Sequence, residues 1–415
     1  MWKSAISLAR ALRMGELTSL EAAAVDLAQA APMLDQVQAW AAVNSGSRNL
    51  DGLQRMAALL AGAFSRLPGS LTLVDPAPVE VVRADGRTAP LDHGRNLHLK
   101  VRPDAPVQLL LTGHYDTVFA ADHPFQQVFW REEGVLGGPG VADMKSGIAI
   151  MLGALEAVEA SPLAERIGYE VILNSDEEVG SPGSAALIAQ AARGKKAALT
   201  YEPSALPDGT LAGARPGSGN FSIVVRGRSA HAGRNPEEGR NALVAAADLA
   251  LRLSQARAPG LKVNPARIDG GGPNNVVPDH AVLRVNLRPT TPADQDNAQR
   301  LIDALVATVA GEHDVAIHVH GGFGRPPKPM TPEAQRLFEL VRDCGRDLGQ
   351  QIGWRDTGGV CDGNNIAACG VPVIDTMGVR GGAIHSSDEY LIVDSLSERA
   401  ALSALSILRL TGTTS

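Results

Sequence analysis

The alternation of short apolar segments with helical segments between residues 107 and 202 constrains the fold of this chain more than any other feature. Short apolar runs bounded by turn residues predict strands. In chain order, the predicted elements are a strand at 107–113, a helix at 146–161, a strand at 169–175, a helix at 183–194 and a strand at 196–202. This alternation is typical of an α/β protein and predicts a mostly parallel sheet with helices on both faces.

The pattern changes near residue 214, where a strand–helix–strand–strand–helix–strand order begins. The predicted elements are a strand within 217–233, a helix at 235–256, two strands within 261–289, a helix at 291–311 and a strand at 314–322. Thr291 precedes Pro292 and is predicted to cap the second helix. The order is that of the split βαβ unit of ferredoxin-like folds. We therefore predict a discontinuous domain of residues 1–213 and 327–415, into which a second domain, residues 214–326, is inserted.

The N-terminal region and the composition limit the classes of protein to which the chain can belong. Residues 1–65 are predicted to be mostly helical with a break at 43–49, and the first 23 residues form a predicted amphipathic helix, too short in its apolar core for a signal peptide. No function is assigned to the helical segment 1–31. No run of about 18 apolar residues predicts a membrane span. The net charge of -7, without a basic tract, argues against nucleic acid and anionic membranes as partners.

The cysteine count bears on the cellular compartment. The chain has three cysteines, an odd and small number that argues against a disulfide framework. Free thiols are typical of a reducing compartment, since disulfides form mainly in oxidising ones. We therefore expect a cytoplasmic protein.

Histidine, aspartate and glutamate residues, the types that can act as metal ligands, follow the strands of the first predicted domain. They are His114 and Asp116 after the strand "VQLLLTG", Glu177 and Glu178 after "VILNSD", Glu202 after "ALTY", His385 after "VPVIDT", and Asp143 just before a helix. In open α/β sheets, sites form beyond the carboxyl ends of the strands. Acidic residues that converge there repel one another without a cation, and histidine with carboxylate ligands suits catalytic zinc. Asp116 is placed to orient His114 through the other ring nitrogen.

Each of these patterns also has a structural explanation when it is taken alone. A histidine and an aspartate two residues apart at a strand end are often parts of a turn. The acidic residues 176–178 are typical of a solvated loop. The metal hypothesis depends on all the patterns occurring together at the ends of successive strands.

Six motifs together resemble a known enzyme family. They are, in chain order, "GHYDTV", "GPGVADMKSG", "DEEVGS", "YEPS", "RSAHAG" and "HSSDEY". They are similar to motifs of the metallopeptidases typified by glutamate carboxypeptidase, a family that also contains aminoacylase, acetylornithine deacetylase and succinyl-diaminopimelate desuccinylase. The resemblance spans about residues 40–410 and is strongest to the glutamate carboxypeptidase-like (carboxypeptidase G) subgroup. It implies the inserted domain described above, which in the family usually forms a homodimer.

The resemblance implies a two-metal site. Asp143 would bridge two Zn²⁺ ions, with Co²⁺ or Mn²⁺ as possible replacements. His114 and Glu202 would complete the first site, and Glu178 and His385 the second. The resemblance also implies a cis peptide bond after Asp143.

The remaining roles follow from the resemblance in the same way. Glu177 would be the general base that activates the metal-held water, with Asp116 supporting the site. His231 of the other subunit would stabilise the oxyanion. Arg288 would bind the free carboxylate of the substrate, with Asn275 close to it. Gly359 belongs to a pocket-lining glycine loop, residues 357–364, in which Cys361 replaces the more usual serine and is interpreted as a wall residue.

These expectations lead to one main functional hypothesis and two alternatives. The main hypothesis is a carboxypeptidase that cleaves a small peptide or an N-acyl amino acid and releases an amino acid with a free carboxylate. The first alternative is an N-acyl amino acid deacylase or amidohydrolase of a small metabolite that uses the same residues. The second is a metal-binding protein without catalysis, against which the presence of Glu177 and His231 argues.

Overall fold

The computed structural model describes residues 17–412. The helices are Ser19–Gln29 (α1), Met33–Ala41 (α2), Leu50–Phe64 (α3), Lys145–Glu159 (α4), Ala185–Ala192 (α5), Ala242–Gln255 (α6), Pro292–His313 (α7), Pro332–Asp347 (α8), Asp362–Ala368 (α9) and Asp394–Arg409 (α10). The strands are Ser70–Val74 (β1), Glu80–Val82 (β2), Thr88–Pro90 (β3), Asn96–Val101 (β4), Val107–His114 (β5), Phe129–Glu132 (β6), Val135–Gly137 (β7), Ile167–Asn174 (β8), Ala197–Thr200 (β9), Leu211–Ala212 (β10), Ser218–Arg226 (β11), Leu261–Gly270 (β12), His280–Pro289 (β13), Ala316–Arg325 (β14), Trp354–Arg355 (β15), Val373–Ile374 (β16), Gly381–Gly382 (β17) and Tyr390–Ile392 (β18).

A six-stranded sheet in the order β1-β4-β8-β5-β9-β16 forms the centre of the larger domain. Strands β8, β5, β9 and β16 run parallel to one another, whereas β4 is antiparallel to β8 and β1 is antiparallel to β4. The prediction of a mostly parallel sheet is therefore confirmed. The parallel strands bring their carboxyl ends to the same edge of the sheet.

Helices cover both faces of this sheet, as the alternation of side chains along β5 illustrates. Leu109 and Leu111 point into the larger core, which also contains side chains of α4 and α10. Leu110 points to the opposite face and packs with Ile188 of α5 and Ile366 of α9. Because successive strand residues face opposite sides, a strand buried on both faces is apolar at nearly every position. This explains the continuous apolar run in the sequence.

The second domain has the predicted strand–helix–strand–strand–helix–strand order. Its antiparallel sheet has the order β12-β13-β11-β14. Helices α6 and α7 bury Leu249 and Ile302 against side chains such as Ile223 on one face of this sheet. On the other face, Val224 packs against Val82 of the β2–β3 hairpin of the larger domain. The ferredoxin-like insertion is confirmed, while the boundaries at residues 213/214 and 326/327 stay predictions.

Helix caps account for one confirmed boundary and one wrong one. Thr291 caps α7 as predicted, because its hydroxyl accepts a hydrogen bond from the amide of Asp294 at 3.2 Å. The helix predicted at 235–256 begins only at Ala242. The Asn241 side chain caps it there, so the residues before it form a separate turn.

Several short strands were absent from the sequence prediction. Strands β1, β4, β10 and β15 were not predicted. Also missed are the β2–β3 hairpin and the sheet β17-β18-β7-β6, most of whose strands are two or three residues long. A strand of this length contains too few residues to have a recognisable alternation of polar and apolar side chains. The second of these sheets matters for function because the loop between β17 and β18 carries His385.

The N-terminal region is helical where the structure describes it. Helices α1 to α3 occupy it, and the predicted break at 43–49 separates α2 from α3. The amphipathic helix predicted for the first 23 residues lies mostly outside the described residues, which begin at 17. Thr18 starts α1 with a capping box that includes Glu21. Within residues 17–412, no helix has the length and apolar character needed to cross a membrane.

Candidate metal centre

The candidate metal centre lies at the carboxyl edge of the central sheet. Strand β5 ends at His114, and β8 is followed by the loop that contains Glu177 and Glu178. Glu202 lies two residues beyond β9, and His385 lies in a loop that follows β16 and β17. The parallel register of these strands, not any local motif, brings these distant residues together.

The side chains form two groups of potential metal ligands that share Asp143. In the first group, His114 Nε2 lies 3.1 Å from Asp143 Oδ1 and 3.6 Å from Glu202 Oε2. In the second group, His385 Nε2 lies 3.3 Å from Asp143 Oδ2 and 3.1 Å from Glu178 Oε2. Within each group, one ligand atom of every residue lies within 4.8 Å of the others. The geometry thus brings together the five predicted ligands, with one aspartate common to both groups.

Backbone contacts hold the shared aspartate in place. The peptide bond between Asp143 and Met144 is cis, as the resemblance implied. The buried carboxylate of Glu389 accepts hydrogen bonds from the amides of Gly140 at 3.1 Å, Ala142 at 2.8 Å and Asp143 at 2.9 Å. Glu389 therefore orders the loop before α4. The sequence analysis missed this role, although the residue lies in the motif "HSSDEY".

Asp116 connects His114 to the loop after β8. Its carboxylate accepts hydrogen bonds from the amides of Glu177 at 3.1 Å and Glu178 at 3.2 Å, and from the Ser47 hydroxyl at 2.7 Å. His114 Nδ1 lies 3.1 Å from the backbone oxygen of Asp116 and 3.4 Å from its carboxylate. The backbone oxygen is thus the nearer partner of the imidazole. The carboxylate mainly fixes the backbone of two acidic residues in the site.

Burial and mutual repulsion oppose the charged forms of the acids in the site, and a divalent cation would offset both. Burial raises the pKa of Glu177 to about 8, of Glu202 to about 8 and of Glu178 to about 7, and neighbouring carboxylates add to the rise. Burial also opposes ionisation of Asp143, but the hydrogen bonds from His114 and His385 lower its pKa below the usual range. Histidine and carboxylate donors without cysteine fit divalent cations such as Zn²⁺ in a catalytic role. The residues present therefore fit two such cations.

A cavity of about 280 Å³ opens onto the two groups. Besides Glu177 and four of the five potential ligands, its wall contains Arg215, Thr357, Gly359, Val360, Cys361, Thr376 and Ile384. Gly359 thus lies in the wall, as expected. Burial raises the pKa of the Cys361 thiol well above its usual value, which fits a wall residue better than a nucleophile.

Three further predicted residues lie in the inserted domain, and the structure does not bring all of them together. Arg288, near the end of β13, donates a hydrogen bond from Nη1 to the backbone oxygen of Gly358 at 3.1 Å. It therefore reaches the glycine loop in the cavity wall. His231 and Asn275 lie beside each other on exposed segments, joined by a hydrogen bond from the Ala232 amide to the Asn275 backbone oxygen at 2.9 Å. In the described chain, the side-chain hydrogen bond of His231 stays within its own loop.

A second buried charge cluster, which the sequence analysis missed, lies beside the cavity. Arg215 binds the carboxylate of Asp375 through Nε at 2.8 Å and Nη2 at 3.0 Å. Lys328 Nζ lies 2.8 Å from the same carboxylate. Arg215 Nη1 also donates to Thr357 Oγ1 and to the Gly359 backbone oxygen, each at 3.2 Å. Because the partners are 160 residues apart in the chain, no local pattern predicts them.

Replacing Asp375 by asparagine is expected to lower the free energy of unfolding at neutral pH by about 3–5 kcal/mol, since two buried cations then lack their counter-charge. Burial opposes the ionised form of Asp375, but the charges of Arg215 and Lys328 outweigh this and lower its pKa to about 2. A depressed pKa stabilises the fold above the usual pKa of about 4, and this contribution is lost as the pH falls towards 2. The difference between wild type and variant should therefore shrink below pH 4.

Denaturant unfolding from pH 7 to pH 3, with a chelator present so that metal binding does not contribute, measures this difference. Asp26→Asn, at an exposed position, is the matched control and should change little. A difference that stays constant across this pH range would contradict the role of the Asp375 charge.

Comparison with known proteins identifies the family. The model of "Peptidase family M20/M25/M40" matches residues 110–409. Carboxypeptidase G2 from Pseudomonas sp. (strain RS-16) is 30% identical over 329 residues, which cover 78% of this chain and 79% of the relative. A succinyl-diaminopimelate desuccinylase from Xanthomonas oryzae pv. oryzae is 31% identical over 331 residues, covering 74% of this chain and 84% of the relative.

Solved structures agree with this assignment at the level of the fold. A tripeptidase from Staphylococcus aureus matches with a TM-score of 0.69 and 22% identity, over 92% of this chain and 98% of its own. A dinuclear metal-binding peptidase of the M20 family from Bacillus subtilis matches with a TM-score of 0.63 and 15% identity, over 92% and 98%. The family predicted from the six motifs is thus confirmed. The protein is an enzyme that hydrolyses amide bonds, and it belongs to peptidase family M20/M25/M40.

Proposed function

We propose that the protein is a metal-dependent carboxypeptidase that releases an amino acid with a free carboxylate from a small peptide or an N-acyl amino acid. The observation that carries the proposal is the position of Arg288, whose guanidinium reaches the glycine loop in the cavity wall. A planar guanidinium binds a carboxylate through two parallel hydrogen bonds. The 30% identity to a carboxypeptidase supports the same activity.

In this proposal, each group of potential ligands holds one divalent cation. His114, Asp143 and Glu202 hold the first, and Asp143, Glu178 and His385 hold the second. Zn²⁺ suits these donors, and Co²⁺ or Mn²⁺ can replace it because affinity order alone does not select the metal. When bound, two such cations lower the pKa of a water molecule and polarise the scissile carbonyl.

The protein's own side chains then move the protons and stabilise the charge. Glu177 belongs to neither ligand group and lines the cavity, so it can accept a proton from the attacking water and deliver it to the leaving amine. Asp116 keeps the backbone of Glu177 in place. His231 supplies a hydrogen bond to the oxyanion.

His231 acts in this proposal from the second subunit of a homodimer. Two features of the inserted domain support such an assembly: β12 lies at the edge of its sheet, and α6 exposes Val244 and Leu251 to solvent. An unpaired strand edge readily pairs with the same edge of another copy. The exposed position of His231 within its own chain also fits a role at the partner's site.

The proposed cytoplasmic location follows from the cysteines. All three are free thiols, and none is placed in a disulfide. Free thiols are typical of a reducing compartment.

A second candidate function is the hydrolysis of an N-acyl amino acid or related small metabolite. It is favoured by the relatives described as succinyl-diaminopimelate desuccinylases, with identities of 26–31%. The same ligands and the same general base would serve this reaction. The two candidates differ in what lies beyond the scissile amide and in the role of Arg288.

Measuring amino-acid release from a panel of dipeptides and N-acyl amino acids tests the proposal. Each substrate is paired with a version whose α-carboxylate is amidated, and the enzyme is used with added zinc and after chelation. We expect release only from substrates with a free carboxylate, loss on chelation and recovery with zinc. Equal turnover of the amidated substrates would favour the amidohydrolase candidate.

Replacing Arg288 by methionine should lower kcat/KM for substrates with a free carboxylate by about 10- to 100-fold, because hydrogen bonds to a charged group are lost. Amidated substrates should be unaffected. Arg284→Met is the matched control: Arg284 lies on the same strand, but it binds Ser222 and the backbone of Val82 instead. An equal effect of Arg288→Met on both substrate types would contradict its carboxylate-binding role.

A further inference from the structure

The inserted domain joins the larger domain through two linkers that cross at one place. Arg215 on the first linker and Lys328 on the second exchange backbone hydrogen bonds of 2.9 Å in both directions. The buried side chain of Asn364 donates to the backbone oxygens of Pro216 at 2.9 Å and Pro326 at 2.7 Å. The two linkers are therefore tied to each other and to the N-terminal turn of α9. These linkers are the two covalent connections between the inserted domain and the larger domain.

Arg325, the last residue of β14, extends from this crossing into the metal centre. It is only 3% exposed. Its Nη2 donates to Glu177 Oε1 at 2.7 Å and to Ser181 Oγ at 2.9 Å. Its Nη1 contacts the carboxylate of Asp362 and donates to Asn365 Oδ1 at 2.8 Å. A side chain of the inserted domain thus binds the proposed general base of the larger domain directly.

We propose that Arg325 is a positioning residue that makes the orientation of the Glu177 carboxylate depend on the orientation of the inserted domain. This inference rests on the proposed function of Glu177 as the general base. The guanidinium is planar and rigid, so a hydrogen bond from it fixes the direction of the bound carboxylate. Because Oε1 is occupied by Arg325, Oε2 is the oxygen left to face the water.

The hydrogen bond between Arg325 and Glu177 joins the inserted domain to the larger domain. Glu177 and Asp362 belong to the larger domain, whereas Arg325 moves with β14. A displacement of β14 relative to the larger domain therefore breaks the contact between Arg325 and Glu177. The general base is held correctly in one orientation of the inserted domain only, which couples the position of that domain to proton transfer.

A purely structural role is the alternative, in which Arg325 merely neutralises buried acids. The two explanations differ in a double-mutant cycle, since residues that act through each other show non-additive effects. If Arg325 acts through Glu177, its replacement has no further effect once Glu177 is already glutamine. If it only stabilises the fold, the two effects on kcat add.

The experiment measures kcat, KM, metal content and thermal stability of the zinc-loaded full chain. Variants are Arg325→Gln, Arg325→Lys, Glu177→Gln and the double variant Arg325→Gln with Glu177→Gln. We expect Arg325→Gln to lower kcat by about 10²-fold at unchanged KM and metal content, since a misplaced catalytic group costs about this much. In the Glu177→Gln background it should lower kcat no further, and Arg325→Lys, which keeps the buried charge, should recover part of the activity.

Lys328→Gln is the matched control. Lys328 lies on the linker that follows Arg325 and is 4% exposed, but it pairs with Asp375 instead of Glu177. It should change kcat by less than about threefold even where it lowers thermal stability. The proposal is overturned if both Arg325 variants keep the wild-type kcat, if they change KM alone, or if the two effects add. Full activity of Glu177→Gln would instead refute the assignment of Glu177 as the general base. Failure of the Arg325 proposal and failure of the proposed function therefore give different results.

Discussion

Replacing Glu177 by glutamine is expected to lower kcat by about 10²–10⁴-fold, the usual contribution of a general acid–base group. Glutamine has nearly the same shape and can still accept the hydrogen bond from Arg325, but it cannot take a proton from water. Glu177 belongs to neither ligand group, so the bound metal should be unchanged. Steady-state kinetics on the best substrate of the panel, together with metal analysis, measure both quantities.

The control for this experiment is Glu178→Gln in the neighbouring position. Glu178 belongs to the second ligand group, so its replacement should lower the metal content as well as the rate. The pair of variants thus separates loss of proton transfer from loss of metal. Retained turnover in Glu177→Gln, or loss of metal from it, would contradict the proposed role.

Two inactive variants are expected to restore activity to each other if His231 acts across a dimer. His231→Ala removes the oxyanion donor from the partner's site, and losing one such donor costs about 10²–10³-fold in kcat. A heterodimer of His231→Ala with Glu177→Gln contains one site in which both residues are intact. It should have about half the activity of the wild-type dimer, because the symmetric interface exchanges one histidine each way.

Co-expression of the two variants with different affinity tags, followed by purification over both, yields the heterodimer for assay. His318→Ala is the matched control, since His318 is also an exposed histidine of the inserted domain and should leave kcat unchanged. An inactive heterodimer would show that His231 does not act in trans. Full activity of the His231→Ala homodimer would remove its catalytic role altogether.

The ligand groups and the fold class were predictable because strand ends in a parallel sheet meet at one edge. Once "VQLLLTG" and "YEVILNS" are recognised as parallel strands, His114 and Glu178 must follow them at the same edge, whatever the loops between them do. The ferredoxin-like insertion was predictable because its strands are long enough to show their pattern. Most strands of two or three residues were not, because so short a segment has no periodicity, although β16 was predicted within "VPVIDT". The longer strands β1 and β4 were also missed.

The sequence by itself determined the type of sheet, the inserted domain and the residues available to bind metal, because these depend on local patterns and chain order. The tertiary structure decided which charges meet. Arg325, the last residue of β14, contacts Glu177, 148 residues away. Asp375 pairs with Arg215 and Lys328, and Glu389 holds the loop before Asp143. Such pairs are set by packing between distant segments. A buried charge needs a partner close to it in the folded protein, but that partner can be far away in the sequence.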